Sequence, residues 1–193
     1  LYVVRSLGID PSNGEEVFLD KNGNRTDTWQ PSDKVYVGQT EARYRGIANT
    51  MFMWKGLTVN LSAGFHWGGK QYNSTLVDRV EVSINTVKNR NVDARALYER
   101  WQKPGDIVSF RKFDDNTTRA SSRFVMPDNV FQIQSVSVQY RWDNDWIKKN
   151  LHASSLTFGV NMSDLLYVST VKRERGTSYP FAHNIQASIK FLF

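Results

Sequence analysis

The side chains that could do chemistry in this sequence are few and scattered. The three histidines, His66, His152 and His183, lie in separate segments, cysteine is absent, and no H-E-x-x-H spacing sets two imidazoles on one helix face. No metal site is expected on those grounds. The stretch Asp20-Lys-Asn22-Gly23-Asn24-Arg-Thr26-Asp27 is as oxygen-rich as a calcium loop, but Gly23 falls at its fourth place, where an EF-hand loop needs glycine at the sixth. A turn at a loop tip is the expectation there. No serine sits in a G-x-S-x-G elbow and no glycine-rich phosphate loop opens a helix. The carboxylates Glu15, Glu16 and Asp106 have no partner at a defensible spacing. Neither an enzyme activity nor a cofactor is expected. One segment is suited to touching a ligand. Val92-Asp-Ala-Arg-Ala-Leu-Tyr-Glu-Arg-Trp101, followed by Pro104-Gly105, predicts a short helix started by Asp93 and stopped by the Pro-Gly pair. It would present Tyr98, Arg100 and Trp101 for stacking and hydrogen bonding, although Trp101 could equally anchor the loop.

The elements that would position these residues are strands. Leu57, Val59, Leu61, Ala63, Phe65 and Trp67 alternate with Thr58, Asn60, Ser62, Gly64 and His66. The same period of two recurs in Leu156, Phe158, Val160 and Met162, and again in Ile185, Ala187, Ile189, Phe191 and Phe193. Such segments are strands with one oily and one polar face. Residues 44 to 54 alternate more loosely, with Met51 and Met53 on the polar parity. In 129 to 142 the apolar parity changes between Ile133 and Val136, which predicts a β-bulge near Gln134-Ser135. Leu1 to Leu7 looks like a truncated strand, making about six in all.

The connections alternate in length: long at about 9–43, short at Lys55-Gly56, long at about 69–128, short at about 143–153, and long at about 165–180. Short turns on one rim and large loops on the other are the habit of outer-membrane barrels, with the long loops outside the cell. Eleven residues at about 3.3 Å each, tilted about 45°, rise roughly 25 Å, the height of the apolar band of such a barrel. Aromatic residues gather near strand ends (Tyr44, Trp54, Trp67, Tyr140, Trp142, Trp146, Tyr167, Tyr179, Phe193), where an interfacial girdle would put them.

Composition excludes other classes. The 193 residues are 40% hydrophobic and 13% aromatic, too rich for disorder, yet no run of eighteen apolar residues could form a spanning helix. A mean hydropathy of -0.50 is equally at home in a soluble protein or in a barrel, whose strands show lipid only at every second residue, so it does not separate the two. The net charge of +6 is dispersed, so no nucleic-acid partner is expected. Leu1-Tyr-Val-Val-Arg carries neither an initiator Met nor a secretory signal, which a barrel protein needs, so the chain is expected to start partway through a longer polypeptide. Six strands also cannot enclose a pore, and an open sheet would leave unsatisfied edges in lipid. The fold class expected is an all-β transmembrane antiparallel barrel, of which residues 1–193 are the C-terminal part. Leu57, Val59, Leu61, Phe65, Leu156, Phe158 and Val160 are expected to face membrane lipid.

Several motifs together resemble the C-terminal region of the SusC/RagA family of TonB-dependent outer-membrane transporters of Bacteroidetes. They are Gly8-Ile-Asp-Pro-Ser-Asn-Gly-Glu-Glu-Val-Phe18, Arg100-Trp101 with Pro104-Gly105-Asp106, Ser122-Arg123-Phe124-Val125, and Tyr179-Pro180 leading into a strand that ends in Phe193. The strand after Arg123-Phe-Val has Phe131-Gln132-Ile133 where the family usually has aliphatic-Arg-aliphatic. The resemblance implies a 22-stranded plugged barrel, a SusD-like surface lipoprotein as lid, energy from TonB through an N-terminal part, and uptake of glycans or peptides. It also implies that Ile189, Phe191 and Phe193 are the signal read by the barrel-assembly machinery. Two other readings stand beside it: an outer-membrane barrel serving as a structural or assembly platform, and a soluble lectin-like β-sandwich with a dry core.

Overall fold

The computed structural model describes residues 1–172 and 184–193. Its nine strands form two antiparallel sheets, one of four strands and one of five. The chain divides into two compact units, Leu1–Glu41 with Gly69–Pro127 and Ala42–Gly68 with Asp128–Phe193.

The five-stranded sheet follows chain order: β5 (Tyr44–Trp54), β6 (Leu57–Tyr72), β7 (Val125–Trp142), β8 (Ser155–Ser169) and β9 (Asn184–Leu192). Strands of up to 18 residues far exceed the five or six usual in soluble sheets. β5 and β6 are joined by Lys55-Gly56 alone, at φ 43° and 85°. Two successive positive φ values make the tight hairpin turn whose twist matches that of the strands, and glycine adopts the second at no steric cost. The register runs unbroken from Trp54↔Leu57 to Tyr44↔Trp67. Directly paired residues share a face, so Trp54, Phe52 and Tyr44 join Leu57, Val59, Leu61, Phe65 and Trp67 on one side.

Farther along the sheet, Val138↔Val160, Tyr140↔Phe158 and Trp142↔Leu156 continue this pattern, and Phe158↔Ile189 and Leu156↔Phe191 carry it onto β9. The Arg141 N–H donates to the Gly56 carbonyl at 2.8 Å, setting the two groups of strands side by side. The register shift expected in β7 lies between Ile133 and Ser135, opposite Asp164, which takes a left-handed φ of 55°. A short helix, α3 (Asp145–Leu151), fills the β7–β8 connection; the Asn144 side chain caps its start and His152 ends it in the left-handed region.

Two expectations need correction. Leu1 to Leu7 does not begin this sheet: β1 (Tyr2–Ile9) pairs with β2 (Glu16–Leu19) and with β4 (Lys34–Tyr36), while β3 (Arg25–Thr26) extends β2. Val3, Val4, Val17 and Phe18 are buried in that unit, and alternation alone cannot say which sheet a strand joins. The sheet thus has five strands among the described residues rather than six. The connection expected at 165–180 also starts later, because β8 runs to Ser169; Tyr179, Pro180 and His183 lie outside the described residues.

The remainder of the first unit packs around Val80, Ala96, Phe110 and Phe124, with Tyr72, Leu76, Val77 and Val92 against them. α1 (Ile84–Asn89) is capped by the Ser83 hydroxyl, which accepts the Thr86 N–H. α2 (Arg95–Tyr98) is a single turn, shorter than the helix expected within Val92–Trp101; Ala94 is its N-cap, and Asp93 accepts the Arg95 N–H at 2.9 Å.

Candidate functional site

The five-stranded sheet presents two chemically different faces. On the apolar one, Phe52, Trp54, Tyr140, Phe158, Val160, Ile185, Ile189 and Phe191 are each 41 to 62% exposed. So large a set of outward apolar side chains exceeds what a soluble monomer shows. Leu57, Val59, Leu61 and Phe65 lie half-buried among their neighbours. None belongs to a dry core, as the sandwich alternative requires. Gly46 leaves room for Phe65: a Cβ there would come within 2.7 Å of the ring, which in turn lies 4.6 Å from Trp67. Phe158 and Val160 are exposed, whereas Leu156 is not. It is only 6% exposed because α3 covers it, with Ile147 and Ala153 packed on it and Trp142 alongside. Phe191 and Phe193 stack at 6.4 Å, and both are exposed with Ile189.

The opposite face is polar. Ser62 Oγ lies 3.4 Å from Gln134 Oε1, His66 Nε2 lies 3.2 Å from Asp128 Oδ2, and the amides of Gln132 and Gln134 crowd over Gly64. Ile47, Met51 and Met53 share this face and are exposed, which nothing in the structure explains.

The other unit holds the ligand candidates, and it separates them. Tyr98 is 82% exposed and free to touch a ligand. Arg100 is 3% exposed and committed inward: its guanidinium donates to the carbonyls of Ala96 at 2.9 Å, Val80 at 2.7 Å and Arg111 at 3.3 Å. It ties backbone together, and burial depresses its pKa. Trp101 donates its indole N–H to the Pro11 carbonyl at 2.9 Å and lies flat against Gly14, where a Cβ would come within 2.5 Å of the ring. Trp101 therefore anchors the Gly8-to-Phe18 segment.

A buried charge network, not foreseen from the sequence, organises this unit. Arg123 Nη2 donates to Glu81 Oε1 at 2.7 Å and to Glu16 Oε2 at 2.9 Å. Arg111 pairs with Glu81 at 3.2 Å and with Asp114 at 2.8 Å, and Ser121 donates to Glu16. Burial raises the Glu81 carboxyl above the ordinary glutamate range, against bonds from Arg123 that lower it. Burial alone would depress the Arg123 pKa, but the carboxylates of Glu81 and Glu16 outweigh it and raise that pKa. Such a set holds together only while every charge keeps its partner. The network borders a cleft of about 210 Å³ lined by Glu15, Asp27, Trp29, Arg111, Thr117 and Arg119. Trp29 is fixed there by an indole bond to the Ala120 carbonyl at 2.9 Å.

The loop suspected of calcium affinity closes on itself, with Asp20 Oδ1 accepting the N–H groups of Asn22 and Asn24 at 2.8 Å. Among the described residues, no three His, Cys, Asp or Glu side chains gather in a ligating group.

No protein-family model and no curated protein matches the sequence. Solved structures do match. The RagAB peptide importer in its open-open state is 14% identical over 100% of this chain and 22% of that chain, with a TM-score of 0.79. The RagAB peptide transporter is 14% identical over 89% of this chain and 19% of its own, with a TM-score of 0.69. The importer in its closed-closed state is 13% identical over 99% of this chain and 22% of its own, with a TM-score of 0.67. This chain thus spans about a fifth of the length of those chains. At such identity the likeness establishes the fold alone, an all-β arrangement of antiparallel sheets like that found in those structures.

Proposed function

We propose that this chain is part of a TonB-dependent outer-membrane importer of large nutrients in a Gram-negative bacterium, with no enzymatic role. A SusD-like surface lipoprotein would serve as lid, TonB would act through an N-terminal plug region, and the barrel-assembly machinery would insert the protein. The fold shared with a peptide importer favours peptides over glycans as cargo. The observation that carries this reading is the apolar face, built from long strands whose other side is polar, as a wall between hydrocarbon and a hydrated interior requires. Among the described residues β5 and β9 each pair on one side only, and in hydrocarbon both edges need further strands, which supports reading the sheet as part of a larger closed barrel.

The test is a deletion strain, scored for growth on oligopeptides or on oligosaccharides as the limiting nutrient, with the protein located by membrane fractionation. Loss of growth on one class, restored by the intact gene, is expected. Unchanged growth on both, or recovery of the protein outside the outer membrane, would sink the proposal.

A further inference from the structure

We propose that α3 is a membrane-interface anchor: it lies across the short-turn end of the apolar face and takes the phosphate headgroups of the phospholipid leaflet there. This rests on the reading above, that the apolar face lies in lipid.

The placement comes from pairing. Trp142 and Leu156 are directly opposite, one step beyond Tyr140↔Phe158, so their neighbours two residues along, Tyr140 and Phe158, share their face. Ile147 is fully buried against Leu156 and Ala153, with Trp142 beside them, so the helix covers the apolar side of the sheet, not the polar one. On its outer side Trp146 stacks parallel to Trp142, at 5.7 Å and 4°, yet stays 53% exposed, and Leu151 is 38% exposed. Lys148 and Lys149 sit beside them in solvent. At the adjacent hairpin turn Lys55 lies over the Trp54 ring at 5.1 Å.

Half-exposed indoles flanked by lysines are the chemistry of the headgroup layer: the ring sits at the boundary and the ammonium reaches a phosphodiester. Charge selects among the possible occupants. Asp145 lies 3.8 Å from Lys148, and Asp143 lies 3.8 Å from Arg141. Lys149 and Lys55 have no carboxylate within ion-pair distance among the described residues, leaving them for an anionic partner. Arg141 and Lys190 do not contribute, because both pair with Thr157 on the polar face. The apolar face continues without a break under the helix, which a lipid leaflet fits and an isolated protein contact does not require. The caps at Asn144 and His152 fix both helix ends, so the segment is a built element.

These 193 residues contain no cysteine, so a thiol placed among them is unique within this chain, and any cysteine elsewhere in the full protein is first replaced by serine. The full protein, carrying a fluorophore at Asn150→Cys or at Val160→Cys, is reconstituted into vesicles of phosphatidylethanolamine and phosphatidylglycerol. Quenching is then read from nitroxide lipids, with the nitroxide near the headgroup or deep in the acyl chain, and from aqueous iodide. The label at 150 should be quenched at least about threefold more by the shallow nitroxide than by the deep one and be shielded from iodide, with the depth order reversed at 160. Exchanging phosphatidylglycerol for phosphatidylcholine, or introducing Lys148→Glu with Lys149→Glu, should weaken the shallow quenching. A label at 150 that is open to iodide and untouched by either nitroxide, while the label at 160 is quenched, overturns the anchor and leaves the barrel standing. Absence of lipid quenching at 160 overturns both.

Discussion

Exchanging Leu61 for arginine puts a charge on the apolar face near the middle of its height. Leu61 pairs with Thr50 and lies four residues along β6 from Leu57, where the sheet turns. At about 3.3 Å per residue and a tilt of about 45°, that is roughly 9 Å up a band about 25 Å tall. A guanidinium at the midplane of a barrel wall costs about 2 to 4 kcal/mol and close to nothing at the rims, so Leu61→Arg should lose about 2 to 3 kcal/mol. Its neighbour Ser62 points to the polar face, where it makes one long contact of 3.4 Å with Gln134. Ser62→Arg gives up that contact but keeps its charge in a polar setting, and should cost less than about 1 kcal/mol. The assay is urea unfolding of the full protein in lipid vesicles, comparing midpoints at unchanged slope. Equal losses at the two positions would refute the division into a hydrocarbon face and a wet face. So would a larger loss at Ser62, and the transport proposal would go with it.

Arg123→Met should destabilise the unit of Leu1–Glu41 with Gly69–Pro127 by about 3 to 5 kcal/mol, because buried Glu16 is left without a cation and Glu81 keeps only Arg111. Arg123→Lys should rescue little, since one ammonium cannot fork between two carboxylates, and limited proteolysis of this unit reports both. Gly14→Ala, at φ 74° and against the Trp101 ring, should cost about 1 to 3 kcal/mol. The cost should be smaller in a Trp101→Ala background, a non-additivity that a double-mutant cycle measures. The Asp20 carboxyl is held below the ordinary aspartate range by hydrogen bonds from the Asn24 side chain and backbone. A depressed carboxyl contributes its stability above the unfolded value and loses it as pH falls through the folded one. Amide exchange at Asn22 and Asn24 should therefore quicken, relative to its intrinsic rate, only in acid below the usual aspartate range, and should be flat from there to neutrality.

The strands were legible because burial of one face writes a period of two into the chain, and Leu57 to Trp67 keeps that period without a break. The bulge was legible for the same reason, since Phe131 and Ile133 fall on the opposite parity from Val136 and Val138. What stayed hidden depends on distance along the chain. Arg123 meets Glu16 across 107 residues and Glu81 across 42, and no local pattern records such a meeting. Arg100 beside the exposed Tyr98 has the look of a ligand contact, but a guanidinium with five donors serves equally well to collect stray carbonyls. α3 was concealed because a seven-residue helix is too short to show a period, and its one buried side chain, Ile147, looks no different from a loop residue.

Because Arg123 grips carboxylates from two distant stretches of the polypeptide, those stretches cannot come loose one at a time. Pulling either away breaks buried charge-assisted bonds of Arg123, so the unit should melt in one cooperative step, with no gradual fraying. Any motion within it would then cost the whole unit at once.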